Sequence, residues 1–460
     1  MGWAGPGGPA PGREVTSRPR LGVFWGRGTL TGWPEARFVG PGVNCLGKED
    51  EGAAWAKVGW TYCSVARVHV DTWSSLPSSH SAGGTGGGCT RAQHRLKSFR
   101  PHFLLSHQQG MIFEKLRICS MPRFVRFMHD LRPLKEDPDV VVTDLRYGTI
   151  PVKLYQPKAF SCIPRPGIVF YHGGGAVLGS LKTHHVICCH LSKKSGSVVL
   201  SVGYRRLPQH KFPVAVRDCI AATIHFLKSL NVYGVDPDRV VVCGDSVGGG
   251  VATIVCQKLL DCPDLPKIRA QILVYAILQA VDFQSPSYQQ NRNIPLLNWN
   301  FAFYCWSCYL DINPSWKSTI MKGAHLPAEV WEKYSKWLGA ENIPERFKKK
   351  SYRPMPREPL NEAAYLETNL ALDLMNSPLI AEDEVMSQLP EACIVSCEYD
   401  LLRDHSLLFK KRLEDLGVPV TWHHMEDGFH GVLSTFDMGY LQFPCSTRIL
   451  NAMVHFLNKL

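Results

Sequence analysis

The sequence predicts an α/β protein: a mostly parallel central sheet with helices on both faces and a helical cap. Three observations predict it. Short, largely apolar runs recur from residue 140 onward, as strands buried on both faces require. Segments with helical periodicity separate them, which is the alternation of a sheet covered on both sides. A stretch of about 110 residues, from 278 to 392, breaks the alternation and is rich in Trp, Tyr, Pro and Lys.

The elements follow in order. VVVTDLRYGTIPVKLYQP (140–157) reads as two strands around a Gly-containing turn. PGIVFYH (166–172) and SVVLSVGY (197–204) are strands, and FPVAVRDCIAATIHFLKSL (212–230) is an amphipathic helix. RVVVCG (239–244) is a strand and GGGVATIVCQKLL (248–260) a helix. ILVYAIL (272–278) and ACIVSCEY (392–399) are strands, the second followed by a helix through Leu416. PVTWHHM (419–425) is a strand, and CSTRILNAMVHFLNKL (445–460) closes the chain as a helix. Ligands of such sheets bind beyond the C-terminal ends of the strands. The irregular insertion, about 280–390, leaves a strand at that end and reads as a lid over the site.

Composition sets the outer limits. Of 460 residues, 45% are hydrophobic and 20% charged, as in a globular protein. The net charge of +11 is uneven: residues 1–110 carry 12 Lys/Arg against 6 Asp/Glu. No continuous basic face stands out, which argues against nucleic acid as a partner. Sixteen cysteines form no regular framework and read mostly as core thiols. Residues 1–107 are Gly- and Pro-punctuated without helical or strand period, so we expect a poorly ordered leader. A single α/β domain is expected over 108–460, opening on apolar residues at helical spacing in MIFEKLRICSMPRFVRFMHDL. No run of 18 apolar residues is present, so no spanning helix is expected. Residues 294–312 (IPLLNWNFAFYCWSCYLDI) read as a cap or core helix, with membrane-surface contact as the second reading.

Two glycine clusters carry the chemistry. CGDSVGGG (243–250) contains G-x-S-x-G between a strand and a helix. That context is a nucleophile elbow, a sharp turn presenting Ser246 at the top of the sheet. Developing negative charge there is favoured by the helix N-terminus. The second cluster is HGGG, His172 to Gly175, directly after an early strand. Attack of a serine on a carbonyl makes an oxyanion, which needs N–H donors already aimed at it. We assign these as the amides of Gly173 and Gly174 with that of Val247, and give His172 the role of ordering the loop. No phosphate-binding glycine motif is present, and the chemistry needs no metal or organic cofactor.

A serine needs a base, and the base an orienting acid. The chain has 18 histidines, so position must choose among them. In this architecture the order along the chain is Ser, acid, His. Asp400 ends the strand ACIVSCEY, and His430 lies in the Gly-flanked EDGFHG after PVTWHHM. Asp404 is the rival acid, one turn into the next helix. His423 and His424 lie within a strand, and His405 within a helix. CWSC (305–308) has redox spacing but falls in the cap and reads as structural. RFKKKSYR (346–353) reads as a solvated face, with anionic membrane contact as the alternative.

Together HGGG, GYRRLPQHKFP (203–213), GDSVGG, EYDLLRD and EDGFHG resemble the arylacetamide deacetylase-like proteins, of the hormone-sensitive-lipase branch of α/β-hydrolases. The resemblance covers roughly residues 111–460. It implies the α/β-hydrolase fold and serine-dependent hydrolysis of small lipophilic esters or acyl amides. It supports Ser246, Asp400 and His430 as a triad and the HGGG amides as oxyanion donors. It also implies an endoplasmic reticulum membrane location, through an N-terminal anchor that this sequence lacks; cytoplasmic is the alternative. The departures are Val247, where the family has alanine, and His405, where it often has aspartate. The rival from another class is a non-catalytic small-molecule-binding protein on the same fold; an inert chain, its N-terminus preventing folding, is the third reading.

Overall fold

The computed structural model describes residues 112, 116–130, 134–294, 296–439 and 442–460. The leader expected over 1–107 lies outside the described residues.

Eight strands form one sheet: β1 (Val140–Tyr147), β2 (Ile150–Pro157), β3 (Arg165–Tyr171), β4 (Val198–Val202), β5 (Val235–Asp245), β6 (Ala270–Val274), β7 (Glu391–Tyr399) and β8 (Val420–Phe429). Their order is β1-β2-β4-β3-β5-β6-β7-β8. The β1–β2 and β2–β4 pairs are antiparallel and every later pair is parallel. The first hairpin turns at Gly148, whose φ of +60° suits a residue without a side chain.

The apolar runs are explained by two-sided burial. In β3, Ile168 and Phe170 enter one core layer while Val169 and Tyr171 enter the other, all fully buried. Helix α1 (Met121–Asp130) precedes the sheet. The helices α2 (His185–Ser195), α3 (Val214–Lys228) and α4 (Val247–Leu259) follow β3, β4 and β5. The cap holds α5 (Trp299–Leu310) and α6 (Ala328–Leu338), and α7 (Arg403–Asp415) and α8 (Pro444–Leu457) complete the layers. α2 and α8 cover one face with Ile187, Leu191, Ile449 and Met453. α3, α4 and α7 cover the other with Phe226, Val255 and Phe409.

Four elements differ from the expectation, one being β8, which runs to Phe429, four residues past the expected end at 425. The strand expected over 272–278 ends at Val274, because Tyr275 turns out of the sheet at φ +39°. α2 was not expected. Its HVICCHLSKKS carries weak helical amphipathicity, and its N-cap position, His184, makes no side-chain cap bond. It exists because parallel β3 and β4 need a crossover. β5 begins at Val235, four residues before the expected start at 239.

The segment between β6 and β7 folds over the C-terminal ends of the strands. Its aromatic core joins Phe283, Tyr288, Trp299, Phe303 and Trp306 to Leu401 and Leu402 beside the site. α5 lies within the segment read as a cap or core helix, and the Asn298 side chain caps it by accepting from Phe301 N–H at 3.0 Å. α1 contributes to the roof through Val125, which packs with Val177, Leu178 and Cys305. Among the described residues, no helix is long and apolar enough to cross a membrane. Asn298→Ala removes the α5 cap and is expected to lower stability by about 1 kcal/mol, read as a lower urea midpoint.

Candidate active site

Ser246 stands alone between β5 and α4, with φ 55° and ψ −120°. Strand becomes helix within that one residue, so its hydroxyl leaves the sheet while its backbone remains fastened. Ser246 N–H donates to Val274 O at 2.9 Å, and Ile277 N–H donates to Ser246 O at 3.2 Å. The flanking glycines answer a packing demand. A Cβ at Gly248 would fall 2.0 Å from Tyr171 O, on the neighbouring strand. At Gly244 it would meet Gly248 C at 2.3 Å.

Ser246 Oγ lies 2.8 Å from His430 Nε2. His430 Nδ1 lies 2.9 and 3.0 Å from the two Asp400 carboxylate oxygens. All three side chains are buried, Asp400 completely. Asp400 Oδ1 also accepts Leu402 N–H at 2.7 Å, and Asn291 clamps the strand end by donating to Asp400 O at 2.8 Å. The Tyr275 ring packs against the His430 ring at 4.8 Å between centroids. With a carboxylate at Nδ1, the imidazole holds its proton there and presents Nε2 to the serine as an acceptor.

The HGGG loop meets the elbow through Asp245. Gly173 N–H donates to Asp245 Oδ1 at 2.7 Å. This corrects the expected donor set: the Gly173 amide is already bonded and cannot also receive an oxyanion. A Cβ at Gly173 would lie 2.3 Å from Asp245 Oδ2, so the glycine permits that close approach. Among the described residues, the amides of Gly174, Gly175 and Val247 donate to no acceptor, and all three residues line the cavity. Gly174 has φ +111°, and a Cβ there would lie 2.5 Å from Leu178 C.

Several neighbours support this loop. His172 stacks on Tyr204 at 4.2 Å, and Tyr204 OH donates to His172 O at 2.6 Å. Leu207 N–H donates to Ala176 O at 2.9 Å, so the GYRRLP segment braces the loop. His184 Nε2 approaches Asp245 Oδ1 at 3.1 Å. Burial works to raise the Asp245 carboxyl, but His184 and then the Gly173 amide outweigh it and hold the group below its ordinary value.

The other candidates lie elsewhere. Asp404 faces the cap, accepting from Ser287 N–H at 2.6 Å and Arg403 Nε at 3.0 Å. His405 Nδ1 accepts Leu278 N–H at 3.2 Å. His424 bonds Ser396 Oγ at 2.9 Å. Cys305 lies against Gly175, its thiol pushed up by burial. In the basic segment, Phe347 is buried under Trp422 while Lys349 and Lys350 are exposed. Sequence reasoning missed Asp245, Tyr204, His184 and Asn291. Asp245 and Tyr204 carried a signal, lying within GDSVGG and GYRRLPQHKFP; Asn291 acts on backbone carbonyls and left none.

A cavity of about 280 Å³ opens from Ser246 beneath the cap. Leu178, Ile254, Phe283, Trp299 and Phe303 line much of it.

A mostly parallel sheet with a serine at a strand-to-helix turn and an imidazole–carboxylate pair beside it is an α/β-hydrolase architecture. The comparisons agree. A family model described as alpha/beta hydrolase fold matches residues 168–327 and 340–434. Arylacetamide deacetylase-like 3 of Homo sapiens is 72% identical over 351 residues, covering 76% of this chain and 86% of that protein. Arylacetamide deacetylase of Oryctolagus cuniculus is 36% identical over 317 residues, covering 67% and 79%. A crystal structure of an esterase rPPE mutant aligns with a TM-score of 0.58 at 23% identity, over 82% of this chain and 98% of that one, and shows the shared fold. The chain belongs to the arylacetamide deacetylase-like family, in the hormone-sensitive-lipase branch of the α/β-hydrolases.

His172 and His405 are fully buried. Burial first, then a second nearby histidine, presses both from 6.5 down to about 3. Unfolded, each takes a proton near 6.5; folded, it resists until about 3. The unfolded state therefore binds more protons across that window, and stability falls as pH drops through it. The slope is about 1.4 kcal/mol per pH unit for each such histidine. Urea unfolding from pH 7 to 4 should show this loss, with a shallower slope for His405→Gln.

Proposed function

We propose that the chain is a serine hydrolase that cleaves lipophilic carboxylic esters or acyl amides through an acyl-enzyme. The observation that carries this reading is the continuous contact from Ser246 Oγ through His430 to Asp400, at 2.8 and 2.9 Å. His430 Nε2 takes the Ser246 proton as the hydroxyl oxygen attacks the substrate carbonyl carbon. The C=O π pair moves onto oxygen, and the amides of Gly174, Gly175 and Val247 receive it. The tetrahedral centre then collapses. The bond to the leaving alcohol or amine breaks, and His430 hands it the proton. Water, activated by the same imidazole, attacks the acyl-serine and releases the acid. Asp400 holds His430 in the working tautomer and stabilises the imidazolium.

The relatives named as deacetylases support the acyl-transfer class. The apolar cavity supports lipophilic substrates. A binding protein on this fold would have no need of the contact between Ser246 and a carboxylate-oriented imidazole.

Cleavage of p-nitrophenyl acetate by the full chain tests the reading. Ser246→Ala should lower kcat by about 10⁴-fold or more; equal rates for the two proteins would refute it. Gly173→Ala tests the close packing of the loop on Asp245. It should lower kcat/KM by about 10²-fold by shifting the neighbouring donors away from the oxyanion position, while circular dichroism stays native.

A further inference from the structure

The last pair of the β7–β8 ladder joins Tyr399 to Phe429, and the next residue on each strand is Asp400 or His430. The ladder is broken just before that pair. Cys397 pairs with Met425, so β7 advances two residues while β8 advances four. Extra residues of this kind interrupt the ladder and re-aim the side chains that follow. Backbone groups left without ladder partners need others once they are buried.

For β7 the partners come from the cap. Asn291 follows the short helical turn Pro286–Gln290. Its Nδ2 donates to Glu398 O at 3.0 Å and to Asp400 O at 2.8 Å. Both hydrogens of one carboxamide are thus spent on two carbonyls that bracket Tyr399. Ser287, in the same turn, donates from Oγ to Leu401 O at 2.7 Å. Asn291 N–H in turn donates to Ser287 O at 2.9 Å, so the two residues act from one rigid piece. Ser287, Asn291 and Asp400 are all buried. Arg403, buried as well, adds bonds to Gln290 Oε1 at 3.4 Å and Phe347 O at 2.8 Å, both in the cap. Neither Asn291 nor Ser287 lines the cavity.

We propose that Asn291, with Ser287, is a positioning residue for the catalytic acid. From the cap the two hold the backbone of 398–401 so that the Asp400 carboxylate stays against His430 Nδ1. The proposal rests on the serine-hydrolase reading and extends it: the segment that roofs the cavity also completes the triad. Without the Asn291 donors, two buried carbonyls draw the strand end toward other partners, and the carboxylate moves with it. Substrate binding is untouched, because neither side chain meets the substrate.

The test is the kinetics of p-nitrophenyl acetate cleavage by the full chain, comparing proteins of native circular dichroism. Asn291→Leu keeps the shape of the side chain and removes both donors. It should lower kcat about 10- to 100-fold with KM within about twofold of wild type. Ser287→Ala removes one bond and should lower kcat about threefold, again at constant KM. The decisive comparison repeats both substitutions in Asp400→Ala. A residue that acts through Asp400 has nothing left to act on there, so each should change kcat by less than about twofold. A residue that merely supports the fold would cost the same factor in both backgrounds, and that result would overturn the proposal. So would an unchanged kcat, or a loss confined to KM. Ser287→Ala carries the same comparison if Asn291→Leu does not fold. Wild-type cleavage that Ser246→Ala leaves intact would overturn the hydrolase reading instead.

Discussion

The chain passes from strand to helix through one residue, and that turn at Ser246 is the constraint on which the site depends. A serine at φ 55° is held in an unfavoured region by bonds to Val274 and Ile277 on the next strand's exit. The turn works only if nothing projects from the residues around it. Strand β3 runs so close that Tyr171 O occupies the place of any side chain at Gly248. The glycines of the elbow therefore record the passage of a neighbouring strand. The amide left open at the start of α4 follows from the same turn.

The two glycine motifs, 72 residues apart at Gly173 and Asp245, form one object. Asp245 carries the connection. Its carboxylate binds the first HGGG amide on one side and faces His184 on the other. Among the described residues, this leaves the next two amides unpaired beside Ser246. Breaking such a node would leave a charged group buried without its partners, which costs far more than the node contributes in place. His172 and Tyr204 stiffen the same loop from behind. The remaining partners arrive from the parallel sheet. Asp400 and His430 follow β7 and β8 at the same end, so a sheet that is parallel there delivers both to the elbow without long excursions.

Much of this was legible in the residues. Wholly apolar runs marked strands buried on two faces. Ser246 was legible because its motif stood between a strand and a helix, and His430 because it followed a strand into a Gly-flanked loop. What escaped was decided by contacts across the fold. The Gly173 amide looks available until Asp245 is seen against it. α2 has weak amphipathicity and no polar cap, so only the parallel pairing of β3 with β4 demands it. Tyr275 leaves the sheet early because Val395 O and the elbow hold its backbone, and β-propensity pointed the other way. The share of the roof built by α1 depends on packing against Leu178 and Cys305, distant in sequence.

The central claim is that Ser246 is an activated nucleophile, and its most direct test is covalent. The full chain, incubated with a fluorophosphonate at neutral pH and digested, should carry the phosphonyl group on the peptide containing Ser246, at one equivalent per chain. His430→Ala should abolish the labelling while the fold persists. A folded protein that stays unlabelled at Ser246, or labels equally well without His430, would contradict the account.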